Sequence, residues 1–178
     1  MKAILSFVFL AAVFLSATAQ KFKPLDDKSE VKFTIKNFGL NTSGSFHGLK
    51  GSIVFNPSDP AACSFNVSID VNTINTGIDA RDSHLKKEDY FDATKFPTIN
   101  FASTSITGSN NAYTVTGKLT IKGVTKTVSF PFSTQNQNGD LVLTGNFNID
   151  RKDFGVGGSS AVLGNNVDVS LKVVAVKD

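Results

Sequence analysis

Residues Ile74–Phe101 read Ile-Asn-Thr-Gly-Ile-Asp-Ala-Arg-Asp-Ser-His-Leu-Lys-Lys-Glu-Asp-Tyr-Phe-Asp-Ala-Thr-Lys-Phe-Pro-Thr-Ile-Asn-Phe. On either side the chain alternates apolar and polar residues in short runs, the period-two pattern of strands with one buried face. Within this stretch the alternation stops. Asp79 is placed to cap a helix over Ala80–Lys86, with Asp82 three places further on, where an acidic side chain suits a helix N-terminus. Ile78, Leu85, Tyr90, Phe91 and Phe96 need an apolar surface to cover, and the nearest is the open end of the surrounding β-structure. The stretch therefore reads as a short helical insert plugging that end.

Outward from the insert, the chain divides into strands and turns. After a polar lead-in, Lys21–Lys28, the first strand sets Val31, Phe33 and Ile35 against Lys32, Thr34 and Lys36. Phe38-Gly39-Leu40-Asn41 turns the chain into a long run, Thr42–Phe55, punctuated by Gly44, Gly48 and Gly51, which permit bulges and coiling. Asn56-Pro57-Ser58-Asp59-Pro60 is a turn by composition. Phe65, Val67, Ile69 and Val71 then alternate with Ser64, Asn66, Ser68 and Asp70. Beyond the insert come Thr98–Ile106, then Tyr113–Ile121 and Val124–Phe132 as a hairpin about Lys122-Gly123, then Leu141–Ile149 and Val167–Ala175. These make eight strands. Glycine within strands and the single plug favour closure over a sandwich, because closure removes exposed edges. The expected fold is all-β: an eight-stranded antiparallel barrel, apolar inside, with Lys32, Asn66, Lys118 and Thr144 pointing out. That is the reverse of a membrane barrel.

The N-terminus bounds the compartment. Met1-Lys2, an apolar run Ala3–Leu15 and Ser-Ala-Thr-Ala-Gln have the order of an export signal, with cleavage expected after Ala19. Residues 1–19 are thus read as a signal peptide, and 20–178 as one domain in a periplasmic or secreted location. No later run approaches the ~20 apolar residues of a membrane-spanning helix, so no integral membrane segment is expected. Lys2 is the signal's one charge, so the net charge falls from +3 to +2 on cleavage. Lysines are spread without a basic cluster, and nucleic acid is not an expected partner. The lone Cys63 excludes an internal disulfide and reads as a buried, inert thiol. A homodimer stays open.

With Phe7, Phe9 and Phe14 in the signal, thirteen of the sixteen phenylalanines belong to the domain, which has no Trp. An eight-stranded barrel is just wide enough to be filled by its own side chains or to hold one small ligand. Strands of about ten residues, tilted near 40°, enclose an apolar tube roughly 25 Å tall. Parity points Phe33, Ile35, Phe65, Val67, Ile69, Phe101, Val115, Leu119, Val128, Phe130, Leu143, Phe147, Val169 and Leu171 inward. They would line a ligand, or else close-pack as core.

Several separated motifs resemble one family. Thr76-Gly77, Arg81-Asp82-x-His84-Leu85, Tyr90-Phe91-Asp92-Ala93 and Phe96-Pro97-x-Ile99-x-Phe101 are similar to the central signature of YceI-like proteins. Gly117-x-Leu119-Thr120-Ile121-x-Gly123-Val124-Thr125, Asp150-Arg151-x-Asp153-Phe154-Gly155 and Leu163-Gly164-x-x-Val167 follow in the same order. The resemblance implies a lipocalin-like barrel exported to the bacterial periplasm and holding a polyisoprenoid, or a similar long-chain amphiphilic lipid, in its pore. It also implies links to isoprenoid quinone or lipid carriage and to stress responses. The Gly-x-Trp motif of true lipocalins is missing, so that kinship is architectural.

Residues suited to acid–base chemistry concentrate at Arg81, Asp82, His84 and Asp89. Arg81 and His84 share a helix face, with Arg81 expected to pair with Asp89 or Asp153 and His84 to donate to a carboxylate. These residues and Arg151 read as a head-group contact or as a network holding the plug to the barrel. No nucleophile elbow or triad is present, so no catalytic residue is assigned. His47 and His84 with one cysteine give no metal-ligand spacing, and no metal or cofactor is expected. His47 reads as a partly exposed turn residue. Gly155-Val156-Gly157-Gly158 precedes no helix pattern and reads as a flexible loop near the barrel mouth. Three function classes follow: a non-catalytic lipid carrier, a filled-core stress-response or interaction protein without lipid, and a lipid-modifying enzyme.

Overall fold

The computed structural model describes residues 19–178, so the export signal read at 1–19 lies outside the described residues apart from Ala19. Nine strands and one α-helix follow: β1 (Gln20–Pro24), β2 (Glu30–Asn37), β3 (Leu40–Phe55), β4 (Ser64–Asn75), α1 (Asp79–Leu85), β5 (Thr98–Ser109), β6 (Ala112–Ile121), β7 (Val124–Gln137), β8 (Asp140–Asp150) and β9 (Leu163–Lys177). From β2 to β9 each strand pairs antiparallel with its neighbours in sequence, β9 returns to β2, and the β3–β4 pairing completes a closed barrel.

The closed wall has eight positions because β1 and β2 share one. β1 pairs with the far ends of β3 and β9 (Phe22 opposite Ile53 and Lys177), and β2 with their near parts (Val31 opposite Phe46 and Leu171). The lead-in at Lys21–Lys28, read as polar and not counted among the strands, thus contains one. Phe22 and Pro24 are buried between the exposed Lys21 and Lys23. A 3₁₀ turn, Asp26–Lys28, separates the two halves. Side chains there replace the interrupted ladder: Val174 N–H donates to Ser29 Oγ (3.0 Å), and Leu49 N–H to Asp26 Oδ1 (2.7 Å).

Local sequence sets the tight connections. Phe38-Gly39, Asn110-Asn111, Lys122-Gly123 and Asn138-Gly139 all take positive φ at both positions, the geometry of two-residue hairpins whose twist matches that of the strands. In β3, register shifts against β4 between Ser45 and Lys50 mark bulges. Gly51 lies so close to β4 that a Cβ would stand 2.1 Å from the Asn66 carbonyl oxygen. His47 belongs to this bulged strand and not to a turn, its N–H donating to Thr73 Oγ1 (2.8 Å).

The two ends of the bore differ. At the end bearing β1, Phe22, Phe55, Phe65, Tyr113, Phe132 and Leu141 close-pack into a solid floor. Tyr113 stacks on Phe132 (5.3 Å between centroids), with Phe55 and Phe65 meeting the pair edge-on. At the opposite end, residues 76–97 with α1 arch over the opening.

Candidate functional site

Between floor and arch the bore is hollow. A cavity of about 240 Å³ is lined almost wholly by apolar side chains from β2 to β9 and from the arch. Of the fourteen residues whose parity points inward, ten face it. Phe65, Val115, Leu143 and Val128 do not. The first three belong to the floor, and Val128, half-buried, packs against both the floor cluster and that of Leu119, Ile121, Phe154 and Val156. Parity gives the face of a strand and not the height along it, so the tube expected along the whole bore is confined to the half away from the floor.

Two features keep that half open. On β3, Gly44 has no side chain, and the ring of its cross-strand partner Phe33 lies over it, where a Cβ would stand 2.4 Å from Phe33 Cζ. Gly117 on β6 receives Phe101 in the same way (2.5 Å to Cζ). Both rings flatten against the wall and leave the bore clear. From the sequence, Gly44 reads as a site of bulging or coiling and Gly117 as a motif residue, and neither as a seat for a ring.

The arch supplies the lid. Leu85, Tyr90 and Phe91 reach into the cavity, and Phe91 meets Phe46 edge-on at 5.6 Å. Of the apolar insert residues the sequence assigned to covering the open end, these three line the cavity, whereas Phe96 does not and Ile78 is exposed. The capping differs: the helix N-cap is Ile78, without a side-chain hydrogen bond, and Asp79 is the first helical residue. The anchoring carboxylate is Asp82, buried, which accepts from both the N–H and the hydroxyl of Thr76. Thr76 in turn accepts from Arg81, at Oγ1 from Nε (2.7 Å) and at its carbonyl from Nη2 (2.8 Å).

The expected charge pairs do not form. Among the described residues no ion pair joins Arg81 to Asp89 or Asp153, because Arg81 turns back onto Thr76 at the base of the arch. His84 meets the edge of Tyr90 (5.0 Å) in place of a carboxylate. Asp89 contributes its backbone carbonyl, which accepts from Gly157 N–H (2.9 Å).

Arg151 forms a separate network. Its buried guanidinium donates to the carbonyls of Val156, Gly158, Leu163 and Gly164 and to Asn165 Oδ1. Those bonds occupy all five of its N–H donors. The glycine-rich loop is therefore tied down at the barrel rim by Arg151. Arg81 differs: two of its five donors are engaged, and five minus two leaves three without a partner among the described residues. Arg81 borders the cavity beneath the arch.

Fold and site together define a class: a closed up-and-down antiparallel barrel, solid at one end, hollow and apolar at the other, its opening arched by a helical insert with an arginine at the rim. A YceI-like domain matches residues 22–175, and the chain belongs to the YceI-like family. A UPF0312 protein of Yersinia enterocolitica is 33% identical over 172 residues, covering 91% of this chain and 89% of that protein. Among solved structures, BcnA of Burkholderia cenocepacia superposes with a TM-score of 0.81 at 29% identity, over 85% of this chain and 98% of that one. A polyisoprenoid-binding domain from Saccharophagus degradans, implicated in plant cell wall breakdown, gives a TM-score of 0.72 over 90% of this chain and 100% of that one. Its identity is 15%, so that likeness is one of fold alone.

Proposed function

We propose that this protein is a non-catalytic carrier of a long-chain amphiphile of the polyisoprenoid type, acting in the periplasm after removal of residues 1–19. The apolar cavity is the observation that carries the reading. Left without a guest, about 240 Å³ lined almost wholly by apolar side chains forfeits the contacts that a close-packed core would make. A chain that flattens two phenylalanines over glycines to keep this space open is better explained by a guest than by a packing defect. Each methylene buried there contributes ~0.8 kcal/mol before association costs, so the tail supplies most of the affinity. Arg81, with three uncommitted N–H donors at the rim, suits an acceptor-bearing head group.

The polyisoprenoid-binding neighbour supports this class of ligand and a non-catalytic role. The test is solvent extraction of protein purified from a lipid-replete host, followed by mass spectrometry. A stoichiometric apolar ligand is expected from the wild type and its loss from Ile69→Phe, which fills the cavity. An empty wild-type extract would overturn the proposal in favour of a surface-interaction protein.

A further inference from the structure

A ligand held between floor, wall and arch needs a way in, and the barrel wall is unequal around its circumference. On β6–β7 the ladder runs from Ala112–Ser133 to Ile121–Val124, and on β8–β9 from Leu141–Ala175 to Asp150–Asn166. Between β7 and β8 it extends only from Gln137–Asp140 to Phe132–Gly145. It stops at Pro131, which has no N–H to donate. From there β7 continues to Val124 and β8 to Asp150 without pairing to each other, although both remain strands through their outer neighbours. Beyond this window the 3₁₀ turn Arg151–Phe154 carries the chain across towards the β6–β7 turn, where Lys122 Nζ donates to the Gly155 carbonyl (2.9 Å).

Side chains alone close the window. Phe130 and Phe147 stack at 4.3 Å with planes 15° apart, Phe154 is buried beside them, and Val128 and Ile149 complete the closure. Phe130, Phe147, Ile149 and Phe154 also line the cavity. A guest leaving through the continuous β6–β7 or β8–β9 wall must break a backbone ladder, and one leaving under the arch must lift a segment anchored through Asp82 and Thr76. A guest leaving here need only turn aromatic rings, a motion far faster than opening paired strands.

We propose that the gap between β7 and β8, closed by the Phe130–Phe147–Phe154 cluster, is the lateral portal through which the apolar ligand exchanges. The inference rests on the carrier reading. Its test joins Ser129→Cys and Asn148→Cys, exposed positions on the two sides of the window, with a short bismaleimide. Linkage is verified by mass. The probe is hexadecanoic acid carrying a terminal pyrene, and its transfer from the protein to phosphatidylcholine vesicles is followed by fluorescence. Linking is expected to slow transfer by at least on the order of tenfold, as for a blocked gating step, with equilibrium binding unchanged. A link between Lys118→Cys and Thr127→Cys, across the fully paired β6–β7 wall, leaves transfer as in wild type. Phe147→Leu, which loosens the stack, speeds transfer without any link and serves where the double variant does not fold. Unchanged transfer in the linked protein, or in Phe147→Leu, overturns the portal alone. Failure of the wild type to bind the probe overturns the carrier reading and the portal with it.

Discussion

At the scale of single residues, two buried polar groups make opposite demands. The Cys63 thiol is enclosed beside Asn56, whose N–H donates to Sγ (3.1 Å). Burial pushes its pKa above the ordinary thiol value, the Asn56 bond offsets this in part, and the Asp59 charge adds to the rise. The folded state therefore holds the thiol proton more tightly than the unfolded chain. The resulting stability is fully present below the unfolded thiol pKa of ~8.5 and is lost as pH rises towards the folded value. Thermal melts from pH 7 to 10 should show this decline in wild type and less of it in Cys63→Ala. Iodoacetamide at pH 8 should modify Cys63 at the rate of unfolding and not at that of a free thiol. Asp82 is buried as an acceptor for both donors of Thr76. Asp82→Ala leaves those donors unsatisfied and should cost about 1–3 kcal/mol, read as a fall in Tm of roughly 2–12 °C for a domain of this size. Such a loss from a position that touches no ligand would mark Asp82 as the anchor of the arch.

At the scale of elements, the strands were the most legible part of the sequence, and the reason is physical. One face of each strand is buried, and alternation records that face directly, as in Val31–Ile35 and Tyr113–Ile121. Turn residues fixed the hairpins because only a few residue types tolerate the backbone those turns require. β1 was missed because Lys21 and Lys23 dominate a five-residue strand whose inward face is only Phe22 and Pro24. The helix start was misplaced because Asp79 has the right chemistry for a cap, while the carboxylate that does the anchoring is a turn further on and reaches back to Thr76. The cavity's height, the floor beneath it and the stop at Pro131 are products of register between distant strands, and no local pattern carries them. Gly44 joins the two levels, since its missing side chain makes room for the Phe33 ring. In Gly44→Ala the three atoms nearest the Cβ would be side-chain atoms of Phe33 and Thr76, so the ring is displaced into the bore. The expected result is a folded protein, destabilised by about 1–3 kcal/mol, with lower ligand stoichiometry by extraction and mass spectrometry.

At the scale of the whole molecule, the barrel is two half-barrels with different tasks. The floor, built from Phe55, Phe65, Tyr113, Phe132 and their neighbours, is dry and close-packed, and β1 completes its wall. The hollow half has the arch, the interrupted β7–β8 ladder and the cavity, so it carries fewer buried contacts per strand and a lower local stability. Stability concentrated at one end lets the other open without unfolding the domain. Hydrogen exchange reads this division directly. Amides of the floor, such as those of Ile53, Val115 and Leu143, should exchange only by global unfolding. Those of residues 76–97, and those between Val124 and Phe130 whose N–H faces β8 and not β6, should exchange far faster. A ligand that binds the folded state alone raises stability by RT ln(1 + [L]/Kd), about 2.7 kcal/mol at a hundredfold excess over Kd. That gain should appear as slowed exchange in the hollow half at ligand levels where global stability has barely changed, because the guest opposes the local openings first. Equal protection in both halves would mean that the domain opens only as a unit, and the floor would then be no separate foundation for the binding end.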